Sequence, residues 1–288
     1  MRVDLKTNRG ETYLKRKIKN NFLIVILSLI AIIQLYPFIW MVFFSLKSDK
    51  EIWGGNMMGL PIQPQFQNYV SAWNQANISK YFFNSLLVTT VSIVFTIILS
   101  TMSAYAITRM KWKLKRVALI YFLAGMMIPL HAALLPDMLI LKSFHQIDTY
   151  LSLIIPYVAF SIPMSLFITT SFFRGVPKEM EEAACIDGAG IYRTFFMIMM
   201  PLVRPAIATS AVFTYLGTWN ELMFATVYIN TDKFKTLTVG IMQMQGQYQV
   251  HWGPMEAGLV IASVPTIIIY LLLSKQVQES LTAGAVKG

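Results

Sequence analysis

The chain has 288 residues, of which 56% are hydrophobic and only 13% charged, with a formal net charge of +10 at pH 7. Soluble domains are nearer half apolar and a quarter charged, so this balance excludes an ordinary water-soluble domain. The basic surplus does not point to nucleic acid, because lysines and arginines at the ends of membrane spans set orientation. Cys185 is the only cysteine, which excludes a disulfide within the chain.

A helix needs about 20 apolar residues to cross the hydrocarbon core. Six segments meet that length in chain order: 22–46, 82–108, 117–141, 150–173, 206–228 and 255–274. None alternates with period two over short segments, as the strands of a β-barrel would. The predicted fold is therefore an all-α membrane protein with six transmembrane helices. The start is basic and leads into an apolar run, like a signal peptide. That run is too long for a signal core and no small-residue cleavage site comes after it, so it is predicted to be a retained span. Pro37, Pro129, Pro136, Pro156, Pro163 and Pro265 fall inside the predicted spans. Proline is tolerated there where neighbours re-satisfy the freed carbonyl, and so many kinks suit a transport bundle.

Lysine and arginine partition unequally. Seven lie in the tail 1–21, five between the second and third spans, four between the fourth and fifth, and two after the sixth. The loops of the other side carry six. The positive-inside rule then predicts that both termini are cytoplasmic, which an even number of spans also requires. The expected organisation is a cytoplasmic tail 1–21, a six-helix domain 22–274 with a cytoplasmic hairpin at 174–205, and a cytoplasmic tail 275–288. On the opposite face, residues 47–81 carry Pro61, Pro64, Tyr69 and Trp73, and residues 229–254 carry Met242, Met244, Tyr248, His251 and Trp252. Loops of this length are usually functional or disordered. Their aromatic, Met and Gln content suits a contact surface; aromatic side chains resting at the headgroups are the alternative.

The hairpin is polar where its surroundings are apolar. Pro177 fits a first helical position, since it has no N–H to leave unpaired. Glu179, Glu181 and Glu182 fill a first turn, where the positive helix end favours anions. Ala183 and Ala184 are strong helix formers. Gly188 and Gly190 interrupt the pattern, as glycines do where a helix ends in a left-handed turn. A second short helix is predicted over Ile191–Met200, stopped by Pro201 and Pro205. Small residues let another surface approach, Tyr192, Phe195, Phe196 and Met199 offer apolar anchors, and Glu182 and Asp187 offer acceptors. The alternative is a helix lying on the membrane with its acids in water. Three acids sit badly against an anionic leaflet, which favours protein docking.

From Glu182-Ala-Ala through Asp187-Gly-Ala189 to Phe195, Ile198 and Pro201, the segment resembles the loop of permease subunits in bacterial binding-protein-dependent ABC importers. The resemblance extends to Asn84-Ser-Leu86, Ala104-Tyr-Ala106, Arg109-Met-Lys111, Met127-Ile-Pro129, Trp219-Asn-Glu221 and the end Leu281–Gly288. Together these are similar to the carbohydrate branch, and to the second permease of maltose-type systems. The resemblance implies that Glu182, Ala183, Ala184, Asp187, Gly188, Ala189, Phe195, Ile198 and Pro201 couple to an ATPase subunit. It also implies a second permease, two ATPase subunits using ATP and magnesium, and an extracytoplasmic sugar-binding protein. The implied location is the bacterial plasma membrane.

The residues agree on what this chain lacks. There is no G-x-x-x-x-G-K-[ST] loop for ATP and no H-E-x-x-H or Cys/His cluster for a metal. His131, His145 and His251 are scattered, and no nucleophile with a base stands out, so no cofactor and no enzyme activity are expected of this chain. Glu221 falls about 21 Å into the fifth predicted span at 1.5 Å per residue. An ionisable group there usually faces the bundle interior or a water-filled cavity. With Asn220 beside it and Trp219 as a flat face for a sugar ring, it reads either as part of a substrate path or as a polar lock between helices. Asn84 allows the same two readings. A secondary transporter working without ATP would need inverted repeats or paired intramembrane charges, which the chain does not show. A scaffold that recruits a cytoplasmic enzyme is the third reading.

Overall fold

The computed structural model describes the backbone of residues 4–246 and 251–285 and the side chains of residues 20–246 and 251–278. Tyr248, residues 286–288 and the side chains of the predicted N-terminal tail as far as residue 19 lie outside the described residues. By their packing the residues form two compact units, Met1–Ser71 with His251–Val260, and Ala72–Val250 with Ile261–Gly288.

The first unit holds the helix Asp4–Ser45, whose apolar stretch is Asn20–Ser45. The loop after it is built around two charged side chains. Lys47 is fully buried and donates to the carbonyls of Asn56 at 2.6 Å and Met57 at 3.2 Å. Burial holds its ammonium group below the ordinary lysine range, and the Glu51 carboxylate offsets part of that. Glu51 accepts from the Asn56 amide at 2.6 Å and from the Ile62 N–H at 2.9 Å. Ser48 caps the short helix Asp49–Trp53. Asp49 accepts from the Trp252 N–H and lies 3.1 Å from Nδ1 of His251. Gly253 packs so close to the Asn68 amide and the Lys47 carbonyl that a Cβ would collide with both.

In the second unit the Ile78–Arg109 and Leu151–Gly175 helices pack along one another, and Arg204–Trp219 packs on both. Their interface is rich in serine and threonine, with Ser100 and Ser165 hydroxyls 2.6 Å apart. Small polar residues let membrane helices approach closely. Two cores flank this stripe. One gathers Tyr105, Leu166, Phe173, Phe195 and Met199 at the hairpin end. The other gathers Leu153, Tyr157, Phe224, Tyr228 and Val239 toward the opposite end.

Across the described residues, four helices are long and apolar enough to cross a membrane singly, and two bent pairs bring the total to six. The predicted straight span 117–141 is one such pair, Lys115–Met127 with Leu130–Ser143, bent by 96°. Pro129 explains the bend: it has no N–H, and it forces Ile128 before it into an extended backbone with ψ 119°. The predicted span 206–228 is also interrupted. Its helix Arg204–Trp219 is bent by 78° from Ile191–Leu202, closes at Asn220 and resumes as Met223–Tyr228. The sixth helix runs Trp252–Ala285, so most of the predicted tail from residue 275 continues it. Pro37, Pro156, Pro163 and Pro265 lie inside unbroken helices.

Candidate functional site

The hairpin's first helix is Glu179–Ile186, and it ends as the glycine pattern predicts. Gly188 has φ +75°, while the N–H of Ala189 reaches back to the carbonyl of Ala184 at 2.9 Å. That six-to-one bond around a left-handed glycine closes the helix and satisfies a carbonyl that would otherwise be orphaned. Gly190 is extended instead, with φ −69° and ψ 166°, and its carbonyl accepts from Thr194 to start the next turn. Pro177 precedes the helix by two residues rather than opening it. The second helix is continuous only in outline: Ile191–Arg193 leads into a π-helical turn Thr194–Met199 and a last turn Met200–Leu202 that contains Pro201. The extra residue of a π turn rotates the side chains beyond it, and such turns are common at functional positions.

This hairpin is fastened to its own bundle. Arg109, at the end of the second span, pairs through Nη1 with Glu181 at 3.4 Å, and its Nη2 donates to the carbonyls of Phe173 (2.6 Å) and Val176. The guanidinium thus ties the hairpin acid to the last carbonyls of the Leu151–Gly175 helix. Its side chain is only 7% exposed and that of Glu181 22%. Ala184 is buried beneath the helix.

Two predicted anchors are corrected here. Phe195 and Met199 do not face outward; both are buried in the hairpin-end core, with the Phe195 ring 5.2 Å from Tyr105. Ile198 is half-buried. The residues that do stand free are Glu182, Ala183, Asp187, Gly188, Tyr192 and, most of all, Ile186 at 87% exposure. Glu182 and Asp187 have no ion-pair partner among the described residues. Ile186 does not stand out in the sequence; an isoleucine between a cysteine and an acid at the end of a short helix is the only signal it carries there.

The second candidate is the fifth-span break. Trp219 is buried: its indole N–H donates to the Ala262 carbonyl at 3.0 Å, and its ring stacks on Tyr215 at 5.5 Å. It offers no free face to a ligand. Asn220 is exposed and bonds back to its own helix at Leu216. Glu221 is 8% exposed and accepts three hydrogen bonds, from the Tyr157 hydroxyl at 2.7 Å and from the N–H groups of Phe224 at 2.9 Å and Ala225 at 3.2 Å. It therefore restarts the broken span by satisfying the first N–H groups of Met223–Tyr228. It also lines a cavity of about 230 Å³ between the fourth and fifth spans. Asn84 is fully occupied: its amide donates to the carbonyls of Lys233 and Lys235, and its oxygen accepts from Tyr150 at 2.7 Å. The structure thus brings Glu221 to a cavity, while Trp219 and Asn84 are spent on holding elements together.

Residues 96–279 match the family model described as the binding-protein-dependent transport system inner membrane component. The chain belongs to this family. It is 38% identical over 264 residues to the probable ABC transporter permease protein YurM of Bacillus subtilis, covering 92% of this chain and 87% of that one. It is 36% identical over 262 residues to the diacetylchitobiose uptake system permease protein NgcG of Streptomyces coelicolor, covering 90% and 86%. The fold resembles a chain in the crystal structure of a bacterial ABC transporter that imports the acidic polysaccharide alginate, with TM-score 0.80, 21% identity and coverage of 90% and 96%. The protein is thus a multi-pass membrane permease of the ABC importer class.

The permease carries a third polar constellation that sequence reading does not anticipate. Asp232 accepts from the Tyr81 hydroxyl at 2.5 Å and from Lys80 at 2.8 Å, with Lys235 at 3.4 Å. These donors, Lys80 first, lower its carboxyl to about 2. Burial pushes the Asp148 carboxyl up, but bonds from Thr231 and Asn230 outweigh that and leave it below the usual range. The two acids fasten the 229–236 loop to the second span and to the turn before the fourth.

Proposed function

We propose that this permease is one subunit of an ATP-driven bacterial importer for a sugar or oligosaccharide. It forms half of the translocation path beside a second permease, and ATP with magnesium is used by two separate ATPase subunits. An extracytoplasmic binding protein delivers the cargo. The hairpin and both termini face the cytoplasm, with the bundle spanning 22–274 between tails 1–21 and 275–288. The loops at 47–81 and 237–254 face the binding protein.

The observation that carries this reading is the hairpin's two-sidedness. Outward it shows Ile186, Tyr192, Glu182 and a bare glycine turn; inward it is gripped by Arg109, Phe195 and Met199. A surface so arranged passes a push from a partner into the second, fourth and fifth spans rather than dissipating it. The sugar class is supported by the diacetylchitobiose relative and by the maltose-type motifs.

The test is made on the assembled transporter in proteoliposomes. Gly188→Leu strains the left-handed turn and adds bulk to the docking face, whereas asparagine adopts that backbone more readily. Gly188→Leu is expected to uncouple ATP hydrolysis from uptake, and Gly188→Asn to retain more coupling. Glu182→Lys should weaken association with the ATPase. Unchanged coupled uptake in Gly188→Leu contradicts the docking assignment.

A further inference from the structure

The cavity beside Glu221 is lined by hydroxyl side chains from two spans. From the fourth span come Tyr157, Ser161 and Ser165, and from the fifth Ser210, Thr214 and Thr218. Each set is spaced four residues apart, which places it on one face of its helix over about 12 Å of length. Two hydroxyl stripes therefore confront each other inside a membrane bundle, where each unsatisfied polar group is costly.

Some of these groups are accounted for. Ser165 bonds Ser100, Thr218 bonds the Thr214 carbonyl, and Tyr157 bonds Glu221. Ser161 and Thr214 have no side-chain hydrogen-bond partner among the described residues. Ser210 has none either, and it is only 1% exposed. A buried hydroxyl without a partner is uncommon and calls for a ligand or water. Gly217 lies on the same wall, and a Cβ there would meet nothing within 4 Å, so the space is open. Phe160 and Phe213 supply apolar aromatic surface beside the hydroxyls. The wall holds one carboxyl group, Glu221, and no lysine, arginine or histidine.

We infer that this cavity is a cargo site within this subunit, taking one neutral hydroxylated ring and disfavouring acidic sugars. Ser161, Ser210 and Thr214 hydrogen-bond the ring hydroxyls, the two phenylalanines pack on its apolar face, and Glu221 excludes anions. The inference rests on the sugar-importer reading above and adds to it a location and a charge preference.

The experiment uses the complete transporter in proteoliposomes with diacetylchitobiose, maltose, trehalose and an alginate oligosaccharide as probes. In a Cys185→Ser background, Thr214→Cys is exposed to a small water-soluble thiosulfonate with and without each sugar. The expected result is uptake of at least one neutral sugar and not of the alginate oligosaccharide. The thiol should be modified, and the transported sugar should slow modification several-fold. Gly217→Leu fills the open space and should raise the KM for uptake by roughly tenfold. Gly217→Ala, which suits a helix better than glycine, should raise it less.

No modification of the thiol overturns the site, as does modification that no transported sugar slows. Preferential uptake of the acidic sugar overturns the charge preference. Uptake of none of the four removes the sugar reading and this site with it, whereas uptake without protection removes the site alone.

Discussion

The hairpin and the fifth-span break are both polar interruptions of apolar sequence, and they use their polar groups in opposite directions. The hairpin turns one acid inward, Glu181 to Arg109, and leaves Glu182 and Asp187 outside with Ile186. The break turns Glu221 inward onto three donors and leaves only Asn220 outside. A charged side chain in a permease therefore does not announce its task by its position along a span. What decides it is whether its neighbours already satisfy it.

The sharpest way to break this contrast is to change residues on the two faces of the hairpin. Ile186→Asp removes an exposed apolar knob without touching the core. It should reduce ATP-coupled uptake by more than tenfold, about 1.4 kcal/mol or more of coupling, while the melting temperature of the solubilised permease stays unchanged. Phe195→Ala should act on stability instead. It empties a buried aromatic site and is expected to destabilise the bundle by about 3–5 kcal/mol, seen as a lower melting temperature. If Ile186→Asp lowers the melting temperature and Phe195→Ala does not, the assignment of faces is wrong.

At the break, effects are smaller. Glu221→Ala strands the Tyr157 hydroxyl and two N–H groups and should cost about 2–3 kcal/mol. Trp219→Phe keeps the stacked ring but leaves the Ala262 carbonyl without its donor, for about 1 kcal/mol. Similar losses for the two variants would mean that Glu221 is no more than another packing contact.

The smallest effect belongs to the Asp232 clasp. Its folded-state carboxyl is depressed to about 2, so its contribution is present above the ordinary carboxylate value and is lost as pH falls toward 2. Asp148, also depressed, loses its contribution in the same direction. Asp232→Asn should flatten part of the decline in melting temperature between about pH 4 and pH 2. An identical pH profile for the variant and the parent contradicts the clasp.

Much of this was legible in the sequence. Apolar length gave the spans, and the Ala-Ala, Asp-Gly pattern gave the helix and its left-handed close. The bends were not legible in the same way. Pro129 breaks its span while Pro156 and Pro163 do not, because only surrounding helices decide whether a freed carbonyl is satisfied. Nor was the pairing of acids. Glu181 and Glu182 are neighbours in sequence but about 100° apart around a helix, and the arginine that selects between them lies more than 70 residues earlier. A comparable rotation within the π-helical turn separates buried Phe195 from exposed Phe196.

The most direct test of the central claim needs no substitution. Cys185 is the only thiol and lies exposed on the hairpin. A bulky water-soluble maleimide is added to the solubilised permease alone and to the assembled transporter. Docking of the hairpin on the ATPase predicts fast labelling of the permease alone and strong protection in the assembly. Equal labelling in both would contradict it.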